Sequence, residues 1–193
     1  DKGLHLLTGV KEGGYSDYIK DKGSILERDK NKYIPIIKNV KKHKGMIIKE
    51  ADSYIIKRIQ HFKVTTKNKK ANLLWLSGRG WTHKCQKNEN NNIFSGNYIG
   101  INVVDLKFIN TYLLLFNSTP IIFFSEIVNR GKGIGGGACV FTKSDLLNLH
   151  IPQKNLLNMQ GVEHLLDSIS KNFNRRARAE AFVGSGGTGQ YCF

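Results

Sequence analysis

The stretch Asn97–Glu126, NYIGINVVDLKFINTYLLLFNSTPIIFFSE, carries the strongest secondary-structure signals in the chain. Its first apolar run, Tyr98 to Val104, has the length and the β-branched content of a buried strand. Asp105 is a residue type that caps helix N-termini, and the apolar positions after it recur at helical spacing. Asn117 to Pro120 interrupts this pattern, and Ile121 to Val128 is predicted to form a second helix. The stretch therefore predicts one strand followed by two helices.

Outward from this stretch, strand and helix patterns alternate. Tyr33 to Val40 and Asn72 to Leu76 are apolar runs typical of strands. Residues 48–59 place apolar side chains at helical spacing, which predicts a helix there. Downstream, Ser144 is predicted to cap a short helix. We therefore expect an α/β fold of the α+β type, in which two or three helices pack on a small, twisted, mainly antiparallel sheet or partial barrel.

Length and composition indicate one domain. The chain has 193 residues, of which 40% are apolar, enough to bury a core without disulfides. We expect a folded domain over residues 1–175 and a flexible, glycine-rich tail over residues 176–193. Its three cysteines are odd in number and widely spaced, which favours a reducing, cytoplasmic location over a secreted disulfide scaffold. No run approaches the roughly 18 apolar residues of a membrane span, so we expect no membrane association.

The charge is strongly basic and unevenly distributed. Thirty Lys and Arg against 15 Asp and Glu give a formal net charge of +15. Residues 1–90 hold 21 basic and 9 acidic side chains, a net of +12, whereas residues 91–170 hold 5 of each. Such an excess suits a polyanionic partner, because neutralising phosphates releases counterions. A solvated basic surface, which AT-rich codon usage also produces, stays open as the alternative.

Several basic segments are candidates for nucleic-acid contact. Lysine clusters near residues 41–44 and 67–70 could hold phosphates, and Trp81 lies between cations that could hold the backbone while it stacks on a base. A basic, glycine-rich loop follows Arg130, where the backbone could approach a groove. The predicted DNA contacts are Lys41, Lys42, Lys44, Lys69, Lys70, Arg79, Trp81, Lys84, Arg130, Lys132 and Lys143.

Other chemical motifs are weak. The pattern G-x-G-x-x-G occurs from Gly131 and again from Gly184, but neither match lies between a strand and a helix as a dinucleotide site requires. His83 and Cys85 form an H-x-C pair with no second pair at zinc-ligand spacing. We therefore expect no catalytic residue, no metal and no cofactor in this chain.

From Asn97 onward, the order of elements resembles that in target-recognition domains of N6-adenine DNA methyltransferases and of restriction–modification specificity subunits. LLLFNS (Leu113 to Ser118) is similar to that family's "LNS" helix signature. VFTKSDLLNLHIP (Val140 to Pro152) is similar to its closing segment, and KEGGYSDYI (Lys11 to Ile19) to its opening. The similarity is good over residues 97–153, weak over residues 1–96, and absent beyond about residue 175.

The resemblance implies sequence-specific recognition of double-stranded DNA. In that family a methyltransferase catalytic domain, in the same or a partner chain, flips the target adenine and methylates it from S-adenosylmethionine. The family's catalytic loop contains Pro-Pro, which this sequence lacks, so we expect catalysis to belong to that other domain. Two alternatives stay open on charge alone: an RNA-binding module, and a nuclease-type enzyme acting on nucleic acid.

Overall fold

A computed structural model of the chain describes residues 3–10, 18–43, 45–57, 70–78, 85–129 and 141–149. Within these ranges the strands are β1 (Leu4–Thr8), β2 (Ile19–Asp21), β3 (Tyr33–Ile37), β4 (Ile47–Ile48), β5 (Ser53–Ile56), β6 (Leu73–Leu76), β7 (Cys85–Asn88), β8 (Ile93–Phe94) and β9 (Tyr98–Val103). The α-helices in the same ranges are α1 (Ile109–Phe116), α2 (Thr119–Asn129) and α3 (Lys143–Asn148).

The described strands form two open sheets. The five-stranded sheet has the order β1-β9-β6-β7-β4, and the four-stranded sheet has the order β2-β5-β3-β8. Neighbouring strands are antiparallel except in the pairs β3–β8 and β4–β7, which are parallel. The predicted α+β fold with mainly antiparallel strands is confirmed, and the described strands close into no barrel.

The five-stranded sheet is the middle layer, because residues along its central strands alternate between two cores. In β6, Leu73 and Trp75 pack with the buried faces of α1, α2 and α3, while Leu74 and Leu76 pack with residues of the second sheet. The period of two in a strand produces this division. Helices, first sheet and second sheet thus form three layers.

A glycine in β9 allows the second core to close. A Cβ built on Gly100 would lie 2.3 Å from Cζ of Phe94 and 2.8 Å from Cβ of Ala71. Both neighbours are fully buried. The ring of Phe94 therefore packs directly against the β9 backbone, a close approach that only glycine permits.

Two local predictions are wrong. Residues 48–59 were predicted to form a helix, but the chain forms β4 and β5 there, and β5 pairs with both β2 and β3. Burial in β5 alternates with a period of two, and Ala51 and Ile55 share helical spacing only because a turn separates two short strands. Ser144 was predicted to cap a helix, but Thr142 is the N-cap, in a capping box with Asp145.

The predictions around Asn97–Glu126 are confirmed with one refinement. Strand β9 and helices α1 and α2 occupy the expected positions. Asp105, however, precedes a 3-10 turn at Leu106–Phe108 and makes no side-chain capping bond, so α1 begins only at Ile109. None of the described helices is by itself long and apolar enough to span a membrane; only the pair 106–116 and 119–125, bent by 66°, reaches that length together.

Candidate nucleic-acid interface

Four described segments meet at one edge of the two sheets. Ser77, after β6, donates from its backbone N to the carbonyl of Asn97 (3.0 Å), in the turn before β9. The Asn97 side-chain amide donates to the carbonyl of Lys38, after β3 (3.1 Å). The backbone N of Phe141, before α3, donates to the carbonyl of Ser77 (2.7 Å). Residues 38–43, 77–78, 95–97 and 141–143 are called the basic edge below.

The first of these segments, the basic loop (residues 38–43), is held by one buried carboxylate. Oδ2 of Asp52 accepts hydrogen bonds from the backbone N of Lys38 (3.1 Å) and of Asn39 (2.9 Å). It also lies 2.6 Å from Nε2 of His43, while Oδ1 accepts from Oγ of Ser53 (2.5 Å). Because an ionised carboxylate only accepts, His43 must carry its proton on Nε2.

The first sheet holds the same loop from its other end. The side-chain amide of Gln86, in β7, donates to the carbonyls of His43 (2.8 Å) and Gly45 (2.7 Å). The Gln86 side chain is buried and these bonds are partly buried, so a lost partner would be costly. The basic loop is thus tied to Asp52, directly before β5 of one sheet, and to β7 of the other.

Electrostatics around Asp52 favour its charged form. Burial acts to raise the pKa of Asp52, but the hydrogen bonds from His43, Ser53 and the two loop amides outweigh it and hold the pKa below its usual value. Tyr98 is the first residue of β9. Burial, together with the charge of Asp52, raises the pKa of its hydroxyl. At neutral pH the loop therefore surrounds a buried negative charge.

Lys42 and Lys143 lie at the basic edge. The side chain of Lys42 is exposed and lies 3.5 Å from a carboxylate oxygen of the exposed Asp21. Lys143 is the exposed first residue of α3. The backbone of Lys41 belongs to the 3-10 turn at residues 40–42, but its side chain lies outside the description.

The structure separates Lys70 from that edge. Lys70 precedes β6 and forms a bridge with Ile93 at the start of β8, whereas Ser77 follows β6. Because a strand rises about 3.3 Å per residue, Lys70 lies on the order of 20 Å from Ser77. The predicted contacts therefore do not all share one patch.

The remaining predicted contacts lie outside the described residues. They are Lys44, Lys69, Arg79, Trp81, Lys84, Arg130 and Lys132. Three of them, at positions 79, 81 and 84, belong to the connection between Gly78 and Cys85, and the described residues on both sides of it lie beside the basic edge.

Several cations elsewhere on the surface have local anionic partners. Lys32 lies 2.7 Å from Asp29, and Lys107 lies 3.6 Å from Asp105. Lys22 pairs with Glu50, and Lys30 pairs with Glu27. Such exposed pairs contribute little stability, but they reduce the charge that is available to a polyanion. Sequence counting overstates the free positive charge for this reason.

The conspicuous polar residues of the family-like motifs stabilise the scaffold. In LLLFNS, Oδ1 of Asn117 accepts from the backbone N of Cys85 (3.0 Å), and its Nδ2 donates to the Cys85 carbonyl (2.8 Å). Its amide thereby covers the edge of β7 beside the short strand β4. In VFTKSDLLNLHIP, Asp145 accepts from the backbone N of Thr142 (2.8 Å) in the capping box, and Leu146 and Leu149 enter the core.

No described cluster offers metal or nucleophile chemistry. Within the described ranges no group of three His, Cys, Asp or Glu side chains is placed to hold a metal ion. Cys85 is a free, fully buried thiol, and burial raises its pKa, so it is poorly suited to act as a nucleophile. Its H-x-C partner His83 lies outside the described residues, as do both glycine patterns.

Sequence reasoning missed Asp52 and Asn97, which organise the basic edge. Neither is basic, and each acts on residues distant in sequence.

The sequence matches no protein-family model and no curated protein.

Proposed function

We propose that this chain is a sequence-specific recognition domain for double-stranded DNA, serving an N6-adenine methyltransferase of a restriction–modification system. The observation that carries the proposal is the basic edge. There a loop rich in Lys and His is fixed by partly buried hydrogen bonds beside the described ends of other basic segments. Catalysis, with S-adenosylmethionine as methyl donor, belongs in this proposal to a partner domain.

Physical chemistry favours a fixed basic loop as a phosphate contact. Phosphate contacts set the register of a protein on the duplex, while base contacts supply the sequence information. A loop whose backbone is ordered before binding avoids part of the entropy cost of association. Lys42 is exposed on such a loop, and its neighbour Asp21 is an exposed anion that a phosphate can replace.

The resemblance supports the same proposal from a different direction. Of its motif residues, Asn117 links α1 to β7 of the first sheet, and Asp145 completes the capping box of α3. A family that varies its DNA site can keep such scaffold residues while its loops differ. The proposal places the protein in the cytoplasm, where the free thiol of Cys85 stays reduced.

The test is duplex-DNA affinity as a function of salt concentration. Each lost phosphate contact should reduce the slope of log K against log salt by about 0.9. We expect the Lys42→Ala/Lys143→Ala variant to lose up to about two such contacts. The matched control, Lys57→Ala/Lys107→Ala, removes the same formal charge from exposed residues away from the basic edge and should keep the slope.

The competitors separate the alternatives. Some duplex sequences should bind more tightly than random duplex DNA, and structured RNA should compete poorly. Preference for RNA would replace the proposal with an RNA-binding module, and Mg²⁺-dependent cleavage of the duplex would replace it with a nuclease. Equal losses in the two double variants would remove the basic edge as the contact surface.

A further inference from the structure

Asp52 combines features that a purely structural acid would not need. It is a buried carboxylate, and its acceptor sites are used by two loop amides, by His43 and by Ser53. Three of these four donors belong to the basic loop. No described Lys or Arg pairs with Asp52; its one charge-capable partner is His43.

We propose that Asp52 is a positioning residue for DNA binding, which fixes the basic loop so that its cations face phosphates in a preset arrangement. This inference rests on the proposed function. Asp52 would touch no DNA, since its oxygens are occupied by the loop and its side chain is buried. Its contribution is to order the loop in the free protein, which lowers the entropy lost on binding.

The neighbouring Asp21 allows a comparison in which the direction of the change in DNA affinity separates two explanations. Asp21 is exposed, lies 3.5 Å from Lys42, and belongs to β2, directly paired with Ser53. Asp21→Asn and Asp52→Asn therefore delete the same charge from almost the same place. Long-range electrostatics alone predicts that both changes strengthen binding to a polyanion. A positioning role for Asp52 predicts that Asp21→Asn strengthens binding and that Asp52→Asn weakens it.

The experiment measures duplex-DNA affinity for the full chain and its variants. Asp21→Asn should bind more tightly, because Lys42 is released from a competing anion. Asp52→Asn should bind about tenfold more weakly, because asparagine cannot accept from all the donors and the loop loses its preset order. Circular dichroism at the binding temperature establishes that each variant is folded.

A second variant keeps the inference testable if Asp52→Asn does not fold. Asn97→Ala removes the bond to the Lys38 carbonyl, changes no charge and alters an exposed residue. It should weaken DNA binding in the same direction as Asp52→Asn, and Asn90→Ala, another exposed asparagine that bonds a backbone carbonyl away from the basic loop, should not.

The outcomes separate the two proposals. Salt-dependent duplex binding by the wild type, with Asp52→Asn binding as well as or better than Asp21→Asn, overturns the positioning role and leaves the proposed function standing. Unchanged affinity in Asn97→Ala counts against positioning in the same way. Absence of salt-dependent duplex binding by the wild type removes the proposed function and this inference with it.

Discussion

The substitution Asn117→Ala tests how much the Asn117 side chain stabilises the edge of β7. Cys85 is fully buried, and both its backbone N and its carbonyl bond to the side chain of Asn117, at 3.0 and 2.8 Å. Alanine removes both partners at once. A buried polar group left without a partner costs about 1–3 kcal/mol, so the two groups together predict a loss of about 2–6 kcal/mol. The Leu113 carbonyl loses the hydrogen bond from the Asn117 side chain but still accepts one from the Asn117 backbone N at 3.3 Å.

Urea unfolding followed by circular dichroism measures this loss. In thermal unfolding of a chain of this size, the midpoint temperature should fall by about 2–4 °C per kcal/mol. The matched control is Asn110→Ala on the same helix, whose side chain lies 3.5 Å from Nζ of Lys87 and which should change stability by less than about 0.5 kcal/mol. Equal, small effects in both variants would refute the assignment of Asn117 as the partner of the β7 edge.

Three further predictions concern the cap, the core and acid stability. Thr142→Ala should cost about 1 kcal/mol in the free energy of unfolding, whereas Ser144→Ala should be neutral, because only Thr142 accepts the capping bond. Gly100→Ala should cost about 1–3 kcal/mol or more in urea unfolding, because its Cβ overlaps Phe94, and Phe94→Leu in the same chain should recover part of the loss. The lowered pKa of Asp52 contributes stability that is present above the unfolded pKa of about 3.9 and is lost as pH falls through the lower folded value. Asp52→Asn should therefore be less stable than wild type at pH 7, and the difference should shrink below about pH 4.

Each of these has an outcome that contradicts it. A loss in Ser144→Ala that matches the loss in Thr142→Ala would reinstate the cap predicted from sequence. A Gly100→Ala protein as stable as wild type would mean that the Phe94 ring does not rest on the β9 backbone. A stability difference for Asp52→Asn that is constant from pH 7 to pH 3 would show that ionisation of Asp52 does not stabilise the fold.

Local patterns predicted those elements whose apolar residues form one continuous run or recur at one helical spacing. Strand β9 and helices α1 and α2 follow from apolar spacing and from the break at Asn117 to Pro120. Pro120 is tolerated in the first turn of α2, where backbone N–H groups need no helical partner. The Thr142 cap was also predictable, because Thr142 and Asp145 have the spacing of a capping box.

Other features depend on contacts that no local pattern contains. The helix predicted over residues 48–59 failed because pairing with β2 and β3 decides β5, and both partners precede it by many residues. Asp52 reaches the loop amides and His43 only after β3 and β5 have paired, so its burial cannot be predicted from the local sequence. The separation of Lys70 from Ser77, in contrast, follows from strand length once β6 is predicted.

Charge is unevenly divided between the described parts of the layers. Among described residues 18–43 and 45–57, ten are basic and five are acidic, a net of +5, whereas residues 108–129 contain Glu126 as their only charged residue. Helices α1 and α2 lie on the opposite side of the first sheet from the second sheet. Among the described residues, this asymmetry favours orientations in which the second sheet, rather than α1 and α2, faces a polyanion. The exposed Phe123 and Phe124 of α2 then face away from the polyanion.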